Sequence, residues 1–268
     1  MGTRESIVLT VYRLNIGVGT KEFLRELYRL ATEASPTAIS ILPLPVKPLR
    51  DLLMGRKNYG SYKRGVRMLA NKVSAIVSSE RTYIGPVVVR YGENTYLSMV
   101  EATSGIEVSR KFVRFSEEFK GYVPRFPSVS VRGVSICFLV LDDIFHPEVA
   151  RYCVESGSTT LVSIVPPITE VDPDLIVLAA RMRAYENAVN VIVVGGYIKD
   201  RTTPTAVVRR DGSIADIASD TRSEVLEIEL ASDIVARLYN EAVRRYYAKI
   251  IKILNSYSTS RFSADKAS

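Results

Sequence analysis

Residues 133–148 read Gly133-Val-Ser-Ile-Cys-Phe-Leu-Val-Leu-Asp-Asp-Ile-Phe-His-Pro-Glu148. The run that ends here, Val131 to Leu141, is strongly apolar from Ile136 on and predicts a buried strand. Two acids close the run, and Pro147-Glu148 then predicts a helix reaching Glu155. Proline loses nothing at the first helical position, and an acid there faces the positive end of the helix. A buried strand that turns sharply into a helix is an elbow. Elbows hold one side chain at the strand tip, close to backbone N–H donors.

Working outward, Ser6–Leu14 is rich in β-branched residues and predicts a first strand. Thr20 is the expected N-cap of a helix whose apolar stripe is Phe23, Leu24, Leu27, Leu30, Ala31 and Ala34. Thr37–Leu42 predicts a second strand, closed by Pro43 and Pro45, and Lys47–Asn58 a loop. Tyr62, Val66, Leu69, Val73 and Ile76 mark a second helix. Tyr83–Arg90 and Tyr96–Ala102 form a predicted hairpin across Gly92-Glu93-Asn94. Beyond the elbow, Thr159–Val165 is a strand. Asp172-Pro173 opens a helix with Leu175, Ala179, Met182 and Tyr185 on one face. Val189–Gly195 is another strand, and Ala206–Arg209 and Val225–Glu229 flank a turn at Asp211-Gly212. A long helix is expected from Ser232 to about Ser256, with a frayed tail after it. Strands alternating with helices predict α/β layers with both sheet faces covered.

The chain has 268 residues, 47% of them hydrophobic, which suits one α/β domain. We expect that domain to span residues 1–258, with 259–268 a C-terminal tail. No apolar run reaches the roughly eighteen residues of a membrane span. The N-terminal stretch reads as a strand and not as a secretory leader, so a cytoplasmic location is expected. Two cysteines, Cys137 and Cys153, make no disulfide framework, and with one histidine, His146, they cannot build a four-ligand zinc site. No metal or other cofactor is expected. A lone histidine also argues against a histidine-based hydrolytic triad. The absence of Gln and Trp and the abundance of Arg, Glu, Ile and Val hint at a thermophilic source. The net charge of +7 suits either a solvated surface or a polyanionic partner such as RNA.

The elbow resembles the nucleophile motif of the nitrilase, or carbon–nitrogen hydrolase, family. That motif runs Cys, aromatic, acid, two variable residues, aromatic, Pro-Glu. Counting back from Pro147-Glu148, Asp143 matches the acid, and His146 and Asp142 take the two aromatic positions. Leu141 takes the position of the cysteine. Other segments are similar in the same order. Ile41-Leu-Pro-Leu44 resembles the strand end that carries Pro and the catalytic Glu, with Leu44 at the place of that general base. Ser109-Arg-Lys111 resembles Tyr-Arg-Lys, with Lys111 matching the oxyanion-stabilising lysine. Glu117 or Glu118 falls near the family's supporting glutamate. Ala180-Arg-Met-Arg-Ala-Tyr-Glu-Asn187 is similar to the Arg-Ala-Xaa-Glu-Asn helix, and Asp211-Gly212 to a late hairpin.

The resemblance implies a four-layer α-β-β-α sandwich, and dimers formed through the helices beside the elbow. It also implies acyl transfer by a thiolate, a carboxylate base and a lysine. Only the lysine is present, so the expected function is that of a catalytically silent relative. Such a protein would act through a protein, anionic or RNA partner, as a homodimer or paired with a paralogue. The alternative is an amide or nitrile hydrolase with an unorthodox nucleophile, Cys137 first and Asp142 second. Cys137 lies four residues before Leu141, which on a continuous strand keeps the same face but separates them by roughly 13 Å. Asp142 and His146 are candidate ligand contacts. The stretch holding Lys47, Arg50, Arg56, Lys57, Lys63, Arg64 and Arg67, interleaved with Tyr59 and Tyr62, is a candidate partner or RNA surface. The last helix adds Arg237, Arg244, Arg245, Lys249 and Lys252.

Overall fold

A computed structural model describes residues 6–113, 119–122, 127–167, 171–231, 245 and 249. The chain forms two compact units, Met1–Ser232 and Asp233–Ser268. Of the second unit, Arg245 and Lys249 are described, both helical and exposed. The rest of the expected final helix and the tail lie outside the described residues. Among the described residues, no helix is long and apolar enough to cross a membrane.

The first half of unit one builds one sheet and its helices. In chain order these are β1 (Ser6–Arg13), α1 (Thr20–Glu33), β2 (Thr37–Pro43), α2 (Val46–Leu53), α3 (Tyr59–Ile76), β3 (Ser79–Tyr91), β4 (Asn94–Glu101) and β5 (Glu107–Arg110). The second half builds another. It has β6 (Ser128–Val131), β7 (Val134–Val140), a 3-10 turn (Leu141–Phe145), α4 (Pro147–Glu155), β8 (Thr160–Ile164), α5 (Pro173–Asn187) and β9 (Asn190–Val194). A small ribbon, β10 (Gly196–Ile198) and β11 (Arg201–Thr203), precedes β12 (Thr205–Val208), β13 (Ile214–Ala218) and β14 (Glu224–Ala231). The sheets have the orders β14-β1-β2-β3-β4-β5 and β13-β12-β9-β8-β7-β6.

Side-chain parity assembles these into four layers. On β7, Ile136, Phe138 and Val140 face the first sheet and join Leu9, Ile39, Ile41 and Tyr83 in the inter-sheet core. Cys137 and Leu139 face outward and pack with Val149, Ala150 and Cys153 of α4 and Ile176 of α5. On the other outer face, Leu42 and Ile84 meet Phe23 and Leu27 of α1 and Leu69 and Val73 of α3. Both faces of the central strands are therefore buried, which is why they read as unbroken apolar runs. Each such large side chain contributes about 1.5–3 kcal/mol by leaving water. The result is the expected α-β-β-α sandwich.

Several local expectations need correction. The N-cap of α1 is Gly19 and makes no side-chain cap; Thr20 is the first helical residue. The expected loop from Lys47 begins as a helix, α2, because Pro48 sits in its first turn, where a missing N–H is harmless. The expected strand Val131–Leu141 is a hairpin arm: Arg132 and Gly133 both have positive φ, 45° and 80°, and turn β6 into β7. The turn at Asp211-Gly212 joins β12 to β13, not to Val225–Glu229; β14 crosses to the first sheet and pairs with β1. On α5 the face carrying Leu175, Met182 and Tyr185 is exposed. The buried face is Ile176, Ala179, Ala180, Arg183, Ala184 and Asn187, whose alanines let the helix approach β9 and the 3-10 turn closely.

The cysteines also depart from expectation. Cys137 on β7 and Cys153 on α4 face each other with Cα atoms 5.9 Å apart and form a disulfide. They are sixteen residues apart in sequence. A covalent loop of that length stabilises a domain by about 3 kcal/mol. Alkylation in denaturant without reductant should therefore modify neither sulfur, and reduction should expose both. The double variant Cys137→Ser/Cys153→Ser should lose about 3 kcal/mol of unfolding free energy. Two thiols that titrate before reductant is added would contradict the pairing.

Candidate functional site

The elbow is built where β7 ends. Val140 is the last strand residue, and Leu141 then adopts a left-handed backbone, φ +57°. For a branched side chain that conformation costs about 1–2 kcal/mol. It also breaks the strand alternation, so that Leu141 packs into the inter-sheet core and is fully buried. Cys137 points the other way, toward α4. The expectation that they share a face therefore fails, and the disulfide leaves Cys137 no free thiol.

Asp143 ties the elbow to the first sheet. It is fully buried, and its carboxylate accepts from Val140 N at 3.1 Å, Phe112 N at 3.0 Å and Val113 N at 3.0 Å. Its fourth partner is Lys111 Nζ, at 2.9 Å. Lys111 follows β5, and its side chain is 1% exposed. Asp142 Oδ1 lies 2.6 Å from the same ammonium, as a close ion pair and not as an aligned hydrogen bond. Ser109 adds a second link between sheets by donating to Phe138 O at 2.9 Å. Lys111 is thus held between two carboxylates inside the protein.

Toward solvent, Asp142 is about one-third exposed, with Oδ2 3.8 Å from His146 Nε2. His146 Nδ1 lies 3.7 Å from Glu148 Oε1. The backbone of His146 caps α4, its carbonyl accepting from Val149 N at 3.1 Å and Ala150 N at 3.4 Å. Among the described residues no cluster of His, Cys, Asp or Glu is placed to hold a metal ion.

Leu44 is buried just past β2 and packs with the outer cluster of the first sheet, not with Leu141. Glu117 and Glu118 lie outside the described residues. A groove of about 470 Å³ lies at the start of α5 and at the β10–β11 ribbon, lined by Pro167, Val171, Pro173 and Asp200 to Thr203. It includes none of Leu44, Lys111 or Leu141. Lys47, Arg50, Arg56, Lys57, Lys63, Arg64 and Arg67 are all exposed, and Lys57 pairs loosely with Asp51 at 3.9 Å.

Two supports escaped the sequence reading. Arg183, within the segment singled out on α5, donates to Ile144 O at 3.1 Å and holds the 3-10 turn. It pairs with Glu186, and Asn187 returns a bond to Arg183 O at 2.9 Å. Arg13 is fully buried at the end of β1 and donates to Thr203 O, Thr202 Oγ1 and Asp220 O. Burial lowers its pKa, opposed by Glu224 and Asp220. The single Arg closing an apolar strand was its only sequence signal.

No family sequence model matches the chain. No curated protein matches it either. Solved structures do match. A carbon–nitrogen hydrolase from Helicobacter pylori G27 superposes with a TM-score of 0.63 at 18% identity, covering 91% of this chain and 94% of that one. An amidase from Nesterenkonia sp. gives 0.62 at 14% identity, covering 90% and 97%. Saccharomyces cerevisiae Nit3, a member of branch 10 of the nitrilase superfamily, gives 0.62 at 18%, covering 89% and 94%. At such identities the likeness establishes the fold: this is the nitrilase-type sandwich.

Removing Asp143 leaves a buried ammonium and three N–H groups, two of them buried, short of a partner. Asp143→Ala should cost about 3–5 kcal/mol of unfolding free energy in denaturant titration. A loss under about 1 kcal/mol would show that the carboxylate does not join the sheets.

Proposed function

We propose that this protein keeps the nitrilase-type fold but works by binding, without covalent hydrolysis at its elbow. The observation that carries this reading is the occupancy of the site. A leucine stands at the strand tip, fully buried, and Lys111 is engaged by Asp142 and Asp143, the two residues that follow the leucine. A leucine has no lone pair with which to attack a carbonyl carbon. An ammonium already neutralised by two carboxylates has little field left for a developing oxyanion. Leu44, the residue at the general-base position of the resemblance, is apolar and buried. The competing hydrolase reading now rests on Asp142, since Cys137 is bonded to Cys153.

The face left open on α5 suggests how binding begins. Leu175, Leu178, Met182 and Tyr185 recur at helical spacing, each between 51% and 71% exposed. A stripe of this kind is costly in water and suits a matching apolar surface. Its occupant in this reading is a second copy of the chain or a paralogue, and the expected assembly is a dimer across α5.

Purified protein should hydrolyse neither simple amides nor nitriles above the buffer rate at neutral pH. Hydrolysis that Lys111→Ala abolishes would overturn the binding reading in favour of an active site at the elbow. Light scattering after size exclusion should give a dimer, and Leu178→Asp/Met182→Asp should give a folded monomer. A parent protein that is monomeric at micromolar concentration would remove the α5 interface.

A further inference from the structure

At the β5 side of the first sheet, Arg110 is enclosed by aromatic rings. Its guanidinium carbon lies 4.2 Å from the ring centroid of Tyr91, 4.5 Å from Tyr122 and 4.9 Å from Tyr96. Glu107 fastens the arrangement from below. It accepts two 2.9 Å bonds from Arg110, one of 2.7 Å from Tyr91 Oη, and one from Ser98 Oγ. The rings meet edge to face, with centroids 6.3 Å apart for Tyr91–Tyr96 and 6.2 Å for Tyr96–Tyr122. Yet Tyr91 remains 50% and Tyr122 40% exposed. Each ring gives one face to Arg110 and has area left for another partner.

Cations lie to either side of this cluster. Arg90, next to Tyr91 on β3, lies 5.0 Å over the ring of Tyr59, whose hydroxyl accepts from Arg90 N at 3.0 Å. Tyr59 opens α3, so Arg90 sits beside the exposed cations Lys63 and Arg64 of that helix. Arg90 and Tyr91 alternate on β3, so a ligand that reaches both must be flexible enough to round the end of that strand. Lys120, two residues before Tyr122, is exposed as well. Among the described residues no acid pairs with Arg90, Lys63, Arg64 or Lys120. Arg110 differs: Glu107 neutralises it, so its part is to hold the rings.

We propose that this shelf binds single-stranded nucleic acid, with bases stacked on Tyr91 and Tyr122 and phosphates along Arg90, Lys120 and the α3 cations. Every base offers a flat π-face to an aromatic ring, and stacking of this kind needs no particular sequence. Rings already fixed by Arg110 and Glu107 lose little freedom on binding, which favours affinity. An acidic peptide would use the cations but have no use for the exposed ring faces. A duplex would keep its bases stacked on one another. The proposal rests on the reading of the protein as one that binds, and it names the ligand class.

The test is fluorescence anisotropy of a labelled short oligouridylate with the full chain, from about 50 mM to about 200 mM salt. Tyr91→Ala and Tyr122→Ala should each weaken binding about tenfold, and Tyr91→Phe should stay within about twofold. Arg90→Ala should lower the salt slope by about one. A duplex of equal length should bind more weakly, while oligothymidylate binding as well as the RNA would support the stacking chemistry. Melting curves that match the parent protein show that the variants fold. The proposal is overturned if no binding occurs at low salt. It is equally overturned if both alanine variants bind like the parent, or if polyglutamate displaces the RNA as well as unlabelled RNA does. None of these outcomes touches the hydrolysis assay, so the shelf can fail while the binding reading stands.

Discussion

The buried carboxylate of Asp143 fastens one sheet to the other. Its donors come from both: Val140 N from the end of β7, and Phe112 N, Val113 N and Lys111 Nζ from the chain leaving β5. A buried charge is tolerated only when its hydrogen-bonding capacity is met, and here it is. The same geometry decides what the elbow can do. With Asp143 on one side and Asp142 on the other, Lys111 could meet a ligand's oxygen only if the partly exposed Asp142 moved aside. Structure and electrostatics at this point are therefore one problem: the contact that joins the sheets also neutralises the cation.

The elbow holds its tip residue in a strained backbone. Leu141 holds a left-handed φ of +57°, a conformation that few residues other than glycine adopt. A leucine there is disfavoured by its backbone, yet its side chain lies in the inter-sheet core among apolar neighbours. Burial of a side chain of this size contributes about 1.5–3 kcal/mol, enough to offset the strain. Arg183 meets the turn from behind, through Ile144 O. The turn is thus held by its supports behind and by the core that Leu141 fills in front.

The layers were legible in the sequence because strand and helix periodicity are local properties. Pro147 and Asp172-Pro173 placed the starts of α4 and α5 for the same reason. Besides local misses at Thr20, at Lys47 and at the Arg132-Gly133 turn, what failed was what depends on a partner elsewhere in the chain. Both faces of α5 carry apolar residues, and only the close approach of Ala180 and Ala184 decides which is inside. The parity change at Leu141, which separates Cys137 from the elbow, follows from one dihedral angle that no spacing rule reports. The pairing of Cys137 with Cys153 requires knowing that β7 turns an odd residue toward α4. Arg13 finds its acceptors at Thr203 and Asp220, far along the chain. In the candidate site, Lys111, Asp142 and Asp143 were each noted, but not that the three would close on one another.

The first sheet is closed by its last strand: β14 pairs with β1 along its full length, from Ser6 opposite Ala231 to Arg13 opposite Glu224. A ribosome delivers those two strands far apart in time. At about 5–20 residues per second, β1 waits on the order of ten to forty seconds for its partner. During that interval one row of its N–H and C=O groups is an open edge, able to accept a strand from another nascent chain. Arg13 carries a charge to the end of that edge, where a misplaced strand could not satisfy it. The residue that latches the finished sandwich is therefore placed to discourage wrong pairings while the sandwich is still incomplete.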